Sequence, residues 1–197
     1  MARTLASALR ADLFFANVSR LLVELNRSTT HRNVFSPRML RAPPSTRREV
    51  LERFYVPYRS EVERVIGRAV RGGSLVVHIS AHSFTPVMKG ERRNGDVGLL
   101  YDPKRALEVA VCRRWQHALR SLAPQLNVRR NYPYRGYNDG FTTYLRRRFP
   151  WDRYVGIELE VNQRFARASP IRWAAIRKTI AAALVDALSS SISTASR

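Results

Sequence analysis

A histidine on one predicted strand and two glutamates on another are the residues best suited to chemistry. Residues 76–86 read V-V-H-I-S-A-H-S-F-T-P, an apolar, β-branched run that predicts a strand ended by its proline, which cannot donate to a ladder. His82 therefore lies at the C-terminal end of that strand, where open α/β sheets bind ligands. Residues 154–162, Y-V-G-I-E-L-E-V-N, predict a second strand with Glu158 and Glu160 on the face opposite its apolar residues.

Two carboxylates on an otherwise apolar strand are costly to bury unless a cation, an arginine or a metal pairs with them. The alternative is a half-solvated antiparallel strand that turns its polar side outward. The pattern alone leaves both alternatives open.

Asn26 and Arg27 end another predicted strand, so all three strand ends predict one pocket. A histidine, a glutamate and an arginine suit metal-assisted hydrolysis. The histidine holds zinc, the glutamate accepts a proton from the bound water, and the arginine binds a substrate carboxylate. Catalytic zinc generally needs three protein ligands. His78 lies four residues before His82, roughly 13 Å along an extended strand, so the two cannot share an ion unless the chain bends sharply. Histidines satisfied within the core are the alternative.

The stretch 131–140, N-Y-P-Y-R-G-Y-N-D-G, is rich in turn formers and aromatic residues. Asp139 is predicted to cap a helix over residues 140–148. A loop that runs into a helix N-terminus is a natural anion site. Asn131, Tyr134 and Asp139 are therefore candidate substrate-binding residues.

The elements that position these residues alternate between helix and strand. Thr46 and Glu49 form a capping box, and Pro57 predicts a kink or break in the helix that follows. The alternation predicts one domain over residues 1–197, an α/β three-layer sandwich of the phosphorylase/hydrolase-like kind with a mixed, mostly parallel sheet flanked by helices. The predicted helices cover residues 2–11, 46–71, 104–123, 140–148 and a last segment from 170, and the strands cover 13–16, 20–25, 76–86, 96–101, 126–130 and 154–162.

The net charge of +20 first suggests nucleic-acid binding. However, the cations are nearly all arginines in short clusters spread along the chain, which favours attraction of small anionic substrates. The single cysteine, Cys112, excludes an internal disulfide and a cysteine-based zinc cluster. No apolar run could span a bilayer and the N-terminus has no signal-peptide pattern, so we expect a cytoplasmic protein without a membrane partner.

Five stretches resemble the N-formylglutamate amidohydrolase family, whose fold and site are similar to those of the zinc carboxypeptidases. They occur in the family's order between about residues 12 and 163. They are V-S-R-L-L-V-E-L-N-R-S, H-I-S-A-H-S-F-T-P-V, D-V-G-L-L-Y-D-P, N-Y-P-Y-R-G-Y-N-D-G-F-T-T-Y-L-R and G-I-E-L-E-V-N-Q.

The resemblance implies a zinc-dependent hydrolase of the amide of an N-acyl acidic amino acid, active in histidine degradation. His82 with Ser83 matches the family's late zinc-binding His-Ser pair. The other implied roles are catalytic base for Glu160, substrate-carboxylate clamp for Asn26 and Arg27, and oxyanion or second anion contact for Arg20.

This sequence departs from the family at its N-terminus. Relatives carry an earlier strand and a His-containing loop, where we expect the other zinc ligands. We therefore interpret the chain as N-terminally shortened, with His31 touching substrate or packing a lid. Two alternatives stay open, a catalytically impaired remnant and a basic nucleic-acid binder. Loss of a strand exposes a sheet edge, so we expect lower stability or self-association.

Overall fold

The computed structural model describes residues 1–189 of the 197-residue chain. The sequence predicts a frayed end over residues 189–197, and all of these residues except Ser189 lie outside the described part. None of the described helices is long and apolar enough to cross a membrane. The helices are α1 (Ala2–Leu9), α2 (Pro37–Leu40), α3 (Pro44–Val50), a π-helical segment (Leu51–Tyr55), α4 (Val56–Arg71), α5 (Ala106–Leu122), α6 (Phe141–Arg148), α7 (Arg164–Ala168) and α8 (Pro170–Ser189). The strands are β1 (Val76–Phe84), β2 (Val87–Met88), β3 (Glu91–Arg92), β4 (Val97–Leu100), β5 (Val128–Arg130) and β6 (Tyr154–Asn162).

Four strands form the main sheet, in the order β1-β6-β4-β5. Strand β4 is antiparallel to β6 and parallel to β5. The Val76 N–H bonds to the carbonyl of Arg153, and the Gln163 N–H bonds to the carbonyl of Phe84. The first bond joins the starts of β1 and β6 and the second joins their ends, so the two strands are parallel. The sheet is therefore mixed and mostly parallel, flanked by helices, which confirms the predicted α/β class.

The chain divides into two compact units, each built from separated stretches. Unit 1 consists of Met1–Leu13, His78–Tyr137 and the chain from Gly156 onward, and unit 2 consists of Phe14–Val77 and Asn138–Val155. The prediction of a single domain stays a prediction.

Helices α5 and α8 form much of the core of unit 1. Trp115 is fully buried and its indole N–H donates to the carbonyl of Ile180 (3.2 Å). Cys112, also on α5, is fully buried, which fits the interpretation of this cysteine as a small core residue. The apolar periodicity of α5 and α8 predicts that Leu122 and Ile171 point inward, but both are exposed. Both lie at the ends of their helices, and periodicity along a helix does not show how far the neighbouring chain covers its ends.

Unit 2 has two apolar clusters. The cluster of Val62, Ile66, Phe141, Leu145 and Tyr154 joins α4 to α6. The other joins the irregular N-terminal stretch of this unit to α3 and the π-helical segment, and it consists of Val23, Val34, Phe35, Val50 and Tyr55.

The strands predicted at residues 13–16 and 20–25 are wrong, because residues 11–36 form turns and irregular chain. Val23 is buried in a cluster with Val50 of α3 and Tyr55 of the π-helical segment, whereas Phe15 and Leu21 are exposed, so the apolar residues here do not form one buried strand face. The Glu24 N–H bonds to the carbonyl of Val34, which closes this stretch on itself (2.8 Å).

The helix predicted over residues 46–71 occurs as three successive pieces, α3, the π-helical segment and α4. The break expected near Pro57 is confirmed, because the π-helical segment ends two residues before it. The capping box is wrong. Helix α3 begins at Pro44 after the N-cap Pro43, where no side chain caps the helix, because proline is well suited to the first helical position.

Candidate functional site

Strand β6 is buried along its whole length. Glu158 is 8% exposed and Glu160 is 6% exposed. The half-solvated alternative is therefore wrong, and both carboxylates lie in low-dielectric surroundings. The antiparallel register pairs Glu160 with Gly98 and Glu158 with Leu100 on β4.

The hydrogen bonds at the ends of β1 and β6 fix how these parallel strands are aligned. Both bonds imply the same register across nine-residue strands, with His82 beside Glu160 and Ser80 beside Glu158. Paired residues on neighbouring strands point to the same face, and such strands lie about 4.8 Å apart. The imidazole and the carboxylate therefore share one face of the sheet.

His82 is half-buried on β1, which lies at an edge of the described sheet. Its Nε2 atom is 2.8 Å from the hydroxyl of Ser80, two residues earlier on the same face. This hydrogen bond restrains the orientation of the imidazole ring. Ser83, next along the chain, is exposed and accepts a hydrogen bond from the Gln163 amide (3.2 Å).

The loop after β5 packs directly on β4 next to the glutamates. A Cβ on Gly98 would lie 1.8 Å from the carbonyl oxygen of Tyr132, and a Cβ on Gly136 would lie 2.1 Å from the Tyr101 nitrogen. Because Gly98 and Glu160 are register partners, the Tyr132 carbonyl lies on the face that carries Glu160.

Asn131 and Tyr134 begin and continue this loop. The side-chain oxygen of Asn131 accepts the N–H groups of Tyr101 (3.1 Å) and Gly136 (3.0 Å), so this oxygen holds the loop to the end of β4. Tyr134 is exposed, and its hydroxyl accepts a hydrogen bond from Arg93 (3.1 Å). The structure thus gives Asn131 a structural role, and its predicted contact with substrate stays a prediction.

In unit 2, Asn26 and Arg27 lie against the start of α6. The Arg27 guanidinium donates to the carbonyl of Asp139, and the Ser28 N–H donates to the Asp139 carboxylate (3.0 Å). The Asn26 side-chain oxygen accepts the first helical N–H, that of Phe141 (2.8 Å). The predicted cap by Asp139 is wrong, because a residue distant in sequence satisfies the helix while Asp139 bonds to Ser28.

Arg59 on α4 is a residue that the sequence reading missed. Its guanidinium donates to the carbonyl of Leu25 (3.0 Å) and lies 4.0 Å from the ring centroid of Phe141. Burial lowers the pKa of Arg59, against the opposing effect of the nearby Tyr55, whose hydroxyl donates to the Arg27 carbonyl (2.6 Å). The stretch Y-V-P-Y-R offered a signal, since an arginine among helical tyrosines favours stacking.

Arg20 lies at the surface of unit 2. Its side chain is 77% exposed and forms an ion pair with Glu24 (3.0 Å). Glu24 in turn accepts the backbone N–H of Asn26 (3.3 Å). An exposed pair of this kind contributes little to stability. The role of Arg20 as an anion contact stays a prediction.

The structure groups the predicted site residues within each unit. It brings Arg27 into contact with Asp139, sets Asn26 at the start of α6 beside them, and aligns His82 with Glu160. The single pocket that would combine all of them stays a prediction. Unit 1 contains His82, Glu160, Asn131 and Tyr134, and unit 2 contains Arg20, Asn26, Arg27 and Asp139.

The described side chains do not form a complete zinc site. No group of three or more His, Cys, Asp or Glu side chains within residues 1–189 could hold a metal ion. Catalytic zinc generally has three protein ligands. The donors present therefore do not fit a resident zinc ion by themselves.

Comparisons with known proteins complete the description. The family model for N-formylglutamate amidohydrolase matches residues 1–166. Among solved structures, the chain is similar to a gene product of Agrobacterium tumefaciens with a TM-score of 0.77 and 28% identity, over 96% of this chain and 75% of that one. It shares the fold of the N-formylglutamate amidohydrolase from Ralstonia eutropha JMP134 with a TM-score of 0.53 and 19% identity, over 70% of this chain and 51% of that one. No curated protein matches the chain.

Proposed function

Because the chain belongs to the N-formylglutamate amidohydrolase family, as its motifs predicted, we propose that it hydrolyses the amide of an N-acyl acidic amino acid. Members of this family are hydrolases. The substrate class, the catalytic residues and the dependence on zinc are parts of the proposal.

The observation that supports the proposal most strongly is the alignment of His82 with Glu160. A half-buried imidazole and a buried carboxylate on neighbouring strands, facing the same way, give one place where a water molecule could meet both. Proton transfer by a positioned side chain contributes roughly 10²–10⁴-fold to a rate.

We assign Glu160 as the general base. Its carboxylate takes a proton from the water that attacks the acyl carbon, and it returns that proton to the leaving amine nitrogen when the C–N bond breaks. The hydrogen bond between the Ser80 hydroxyl and Nε2 of His82 restrains the imidazole on this face. The Tyr132 carbonyl accepts hydrogen bonds only, so it suits the substrate's amide N–H and not the developing oxyanion.

Asn26 and Arg27 form the proposed clamp for the substrate carboxylate. A guanidinium presents several N–H donors in a planar fork, so Arg27 can hold the Asp139 carbonyl and still donate to a substrate. Asn26 binds the start of α6 through its side-chain oxygen, and its proposed role in the clamp is to donate side-chain N–H groups to the substrate carboxylate.

Zinc is a separate proposal that rests on the family resemblance. His82 would supply one imidazole ligand, and no catalytic step is assigned to the metal because the described donors fall short of three. Metal analysis of the purified chain by mass spectrometry measures this directly. About one zinc per chain supports the proposal, and a metal-free chain with normal turnover contradicts it.

The substitution Glu160→Gln tests the assignment of the base. We expect the variant to lose at least about 10²-fold in kcat on N-formyl-L-glutamate while its circular dichroism spectrum stays unchanged, because the amide keeps the shape but cannot accept the proton. The measurement is initial-rate release of the free amino acid.

Glu158→Gln is the matched control, since it removes a neighbouring buried carboxylate on the same strand. We expect it to lose less than about tenfold in kcat. Normal turnover by Glu160→Gln would refute the assignment of Glu160. A folded, unmodified chain that hydrolyses no N-acyl amino acid would favour the alternative of a catalytically impaired relative.

A further inference from the structure

An open cleft of about 560 Å³ lies in unit 1, between the hairpin of β2 and β3 and the loop that contains Tyr132. The hairpin lies between the strands predicted at 76–86 and 96–101, where the sequence predicted no strand. The cleft is lined by Met88, Lys89, Glu91, Arg92, Arg93, Asn94, Arg129, Tyr132 and Pro133.

The lining of this cleft is strongly cationic. It holds Lys89 and three arginines against a single carboxylate, that of Glu91. Among the described residues no ion pair joins Glu91 to any of these cations. Four like charges on one concave surface repel each other, and an anion that enters the cleft relieves that repulsion.

Aromatic rings hold two of the arginines in place without neutralising them. The Arg129 guanidinium lies 4.2 Å from the ring centroid of Tyr132, and that of Arg93 lies 5.1 Å from the centroid of Tyr134. Arg93 also donates to the Tyr134 hydroxyl (3.1 Å). Both cations are therefore ordered in advance, which lowers the entropy that binding an anion would cost.

The cleft adjoins the face of the sheet that carries Glu160. Tyr132 forms part of the cleft wall, and its carbonyl touches Gly98, the register partner of Glu160. The hairpin itself begins three residues after the end of β1. A ligand in the cleft would thus lie beside the strand ends that carry the proposed catalytic residues.

We propose that this cleft is a binding site for a small ligand that carries two or more negative charges. Oligocarboxylates and phosphate-bearing molecules share this chemistry. Single-stranded nucleic acid fits less well, because binding of a strand needs exposed rings for base stacking and Arg129 already covers one face of Tyr132. The site goes beyond the proposed hydrolysis and does not depend on it.

Calorimetric titration of the full chain with inorganic pyrophosphate and, separately, with a tri-glutamate peptide tests the proposal at physiological salt. The double variant Arg92→Gln/Arg129→Gln removes two charges from the cleft. We expect it to bind at least about tenfold more weakly than the unmodified chain, since each charged hydrogen bond contributes substantially to affinity.

The control is Arg120→Gln/Arg172→Gln, which removes the same charge from exposed helix positions of unit 1. We expect it to weaken binding less than about twofold, because only screened, distant charge is lost. Melting temperatures of both variants verify folding.

Binding of pyrophosphate alone, or of the peptide alone, supports the site and identifies phosphate or carboxylate as its ligand. Equal weakening in the two double variants would overturn the proposal, because diffuse charge would then explain binding. Absence of binding by both probes to the unmodified chain would also overturn it. Binding is measured without turnover, so failure of the hydrolase proposal would leave this result unaffected.

Discussion

Gly98 shows how closely one residue can define the surroundings of Glu160. The carbonyl of Tyr132 occupies the space where a side chain at position 98 would begin. Neither group can move freely, since Gly98 lies within β4 and Asn131 fixes the start of the loop. The close approach therefore depends on the absence of a Cβ.

Gly98→Ala should destabilise the protein by more than about 2 kcal/mol, because the added methyl group overlaps backbone atoms. Chemical denaturation measures the free energy of unfolding. Gly67→Ala is the control, since its Cβ would meet the flexible end of Arg71 at 3.2 Å and the Phe149 ring at an ordinary contact distance of 3.6 Å, and alanine in a helix gains about 0.5–1 kcal/mol. A Gly98→Ala protein as stable as the unmodified chain would contradict the packing described.

Tyr55 predicts a dependence of stability on alkaline pH. Burial raises its pKa, so the folded state holds the hydroxyl proton more tightly than the unfolded chain. The stability from this proton is complete below the ordinary pKa of tyrosine and is lost as the pH rises through the raised pKa. The effect belongs to the alkaline range, above about pH 10.

Tyr55→Phe should lose about 1 kcal/mol of stability near neutral pH, because the hydrogen bond to Arg27 is gone. Its stability should then fall less than that of the unmodified chain between about pH 9 and pH 11. Urea denaturation at both pH values measures this, with the exposed Tyr137→Phe as control. Parallel pH profiles for Tyr55→Phe and the unmodified chain would refute it.

The sequence predicted that Glu160 and His82 lie near one pocket, but only the register between β1 and β6 shows that they are side by side on neighbouring strands. The sequence could not reveal that Asn26 serves α6 or that Asn131 anchors a loop. Both are polar residues in turns, and the sequence pattern is the same whether such a side chain binds the backbone or a substrate. Arg59 was missed because its partners are aromatic rings distant in sequence.

At the scale of elements, α6 depends on a cap from outside its own segment. Asn26→Ala should destabilise the protein by about 1 kcal/mol, because the Phe141 N–H at the start of α6 loses this acceptor. Thermal or urea unfolding measures the change. Asn138→Ala alters a nearby exposed asparagine and should stay within about 0.5 kcal/mol. Equal effects of the two substitutions would contradict the capping role of Asn26.

The regular elements could be predicted where the period was clear, as for β1, β6 and α5. The irregular stretch of residues 11–36 could not, because short apolar runs suit a strand and an anchored loop equally well. The small hairpin of β2 and β3 was missed because two-residue strands carry no periodic signal.

At the scale of the whole molecule, net charge and an exposed sheet edge have opposite effects on self-association. A net charge of +20 keeps copies of the chain apart at low salt, while β1 presents an edge of the described sheet. The expected self-association therefore stays a prediction with a defined salt dependence.

Association should increase between about 20 mM and 500 mM salt, because screening shortens the reach of the repulsion from about 20 Å to less than 5 Å. Light scattering after size-exclusion chromatography measures the mass at each salt concentration. A constant monomer mass across this range would contradict the role of the edge.

The two sides of the cationic cleft differ in their freedom to vary. One side is a loop seated on glycines and tied down by an asparagine, so almost any replacement there would disturb the strand next to Glu160. The other side is a short, exposed hairpin that packs lightly. Evolution and protein engineering should therefore alter ligand preference through the hairpin, since exchange of residues 87–92 should leave the strand that carries Glu160 intact.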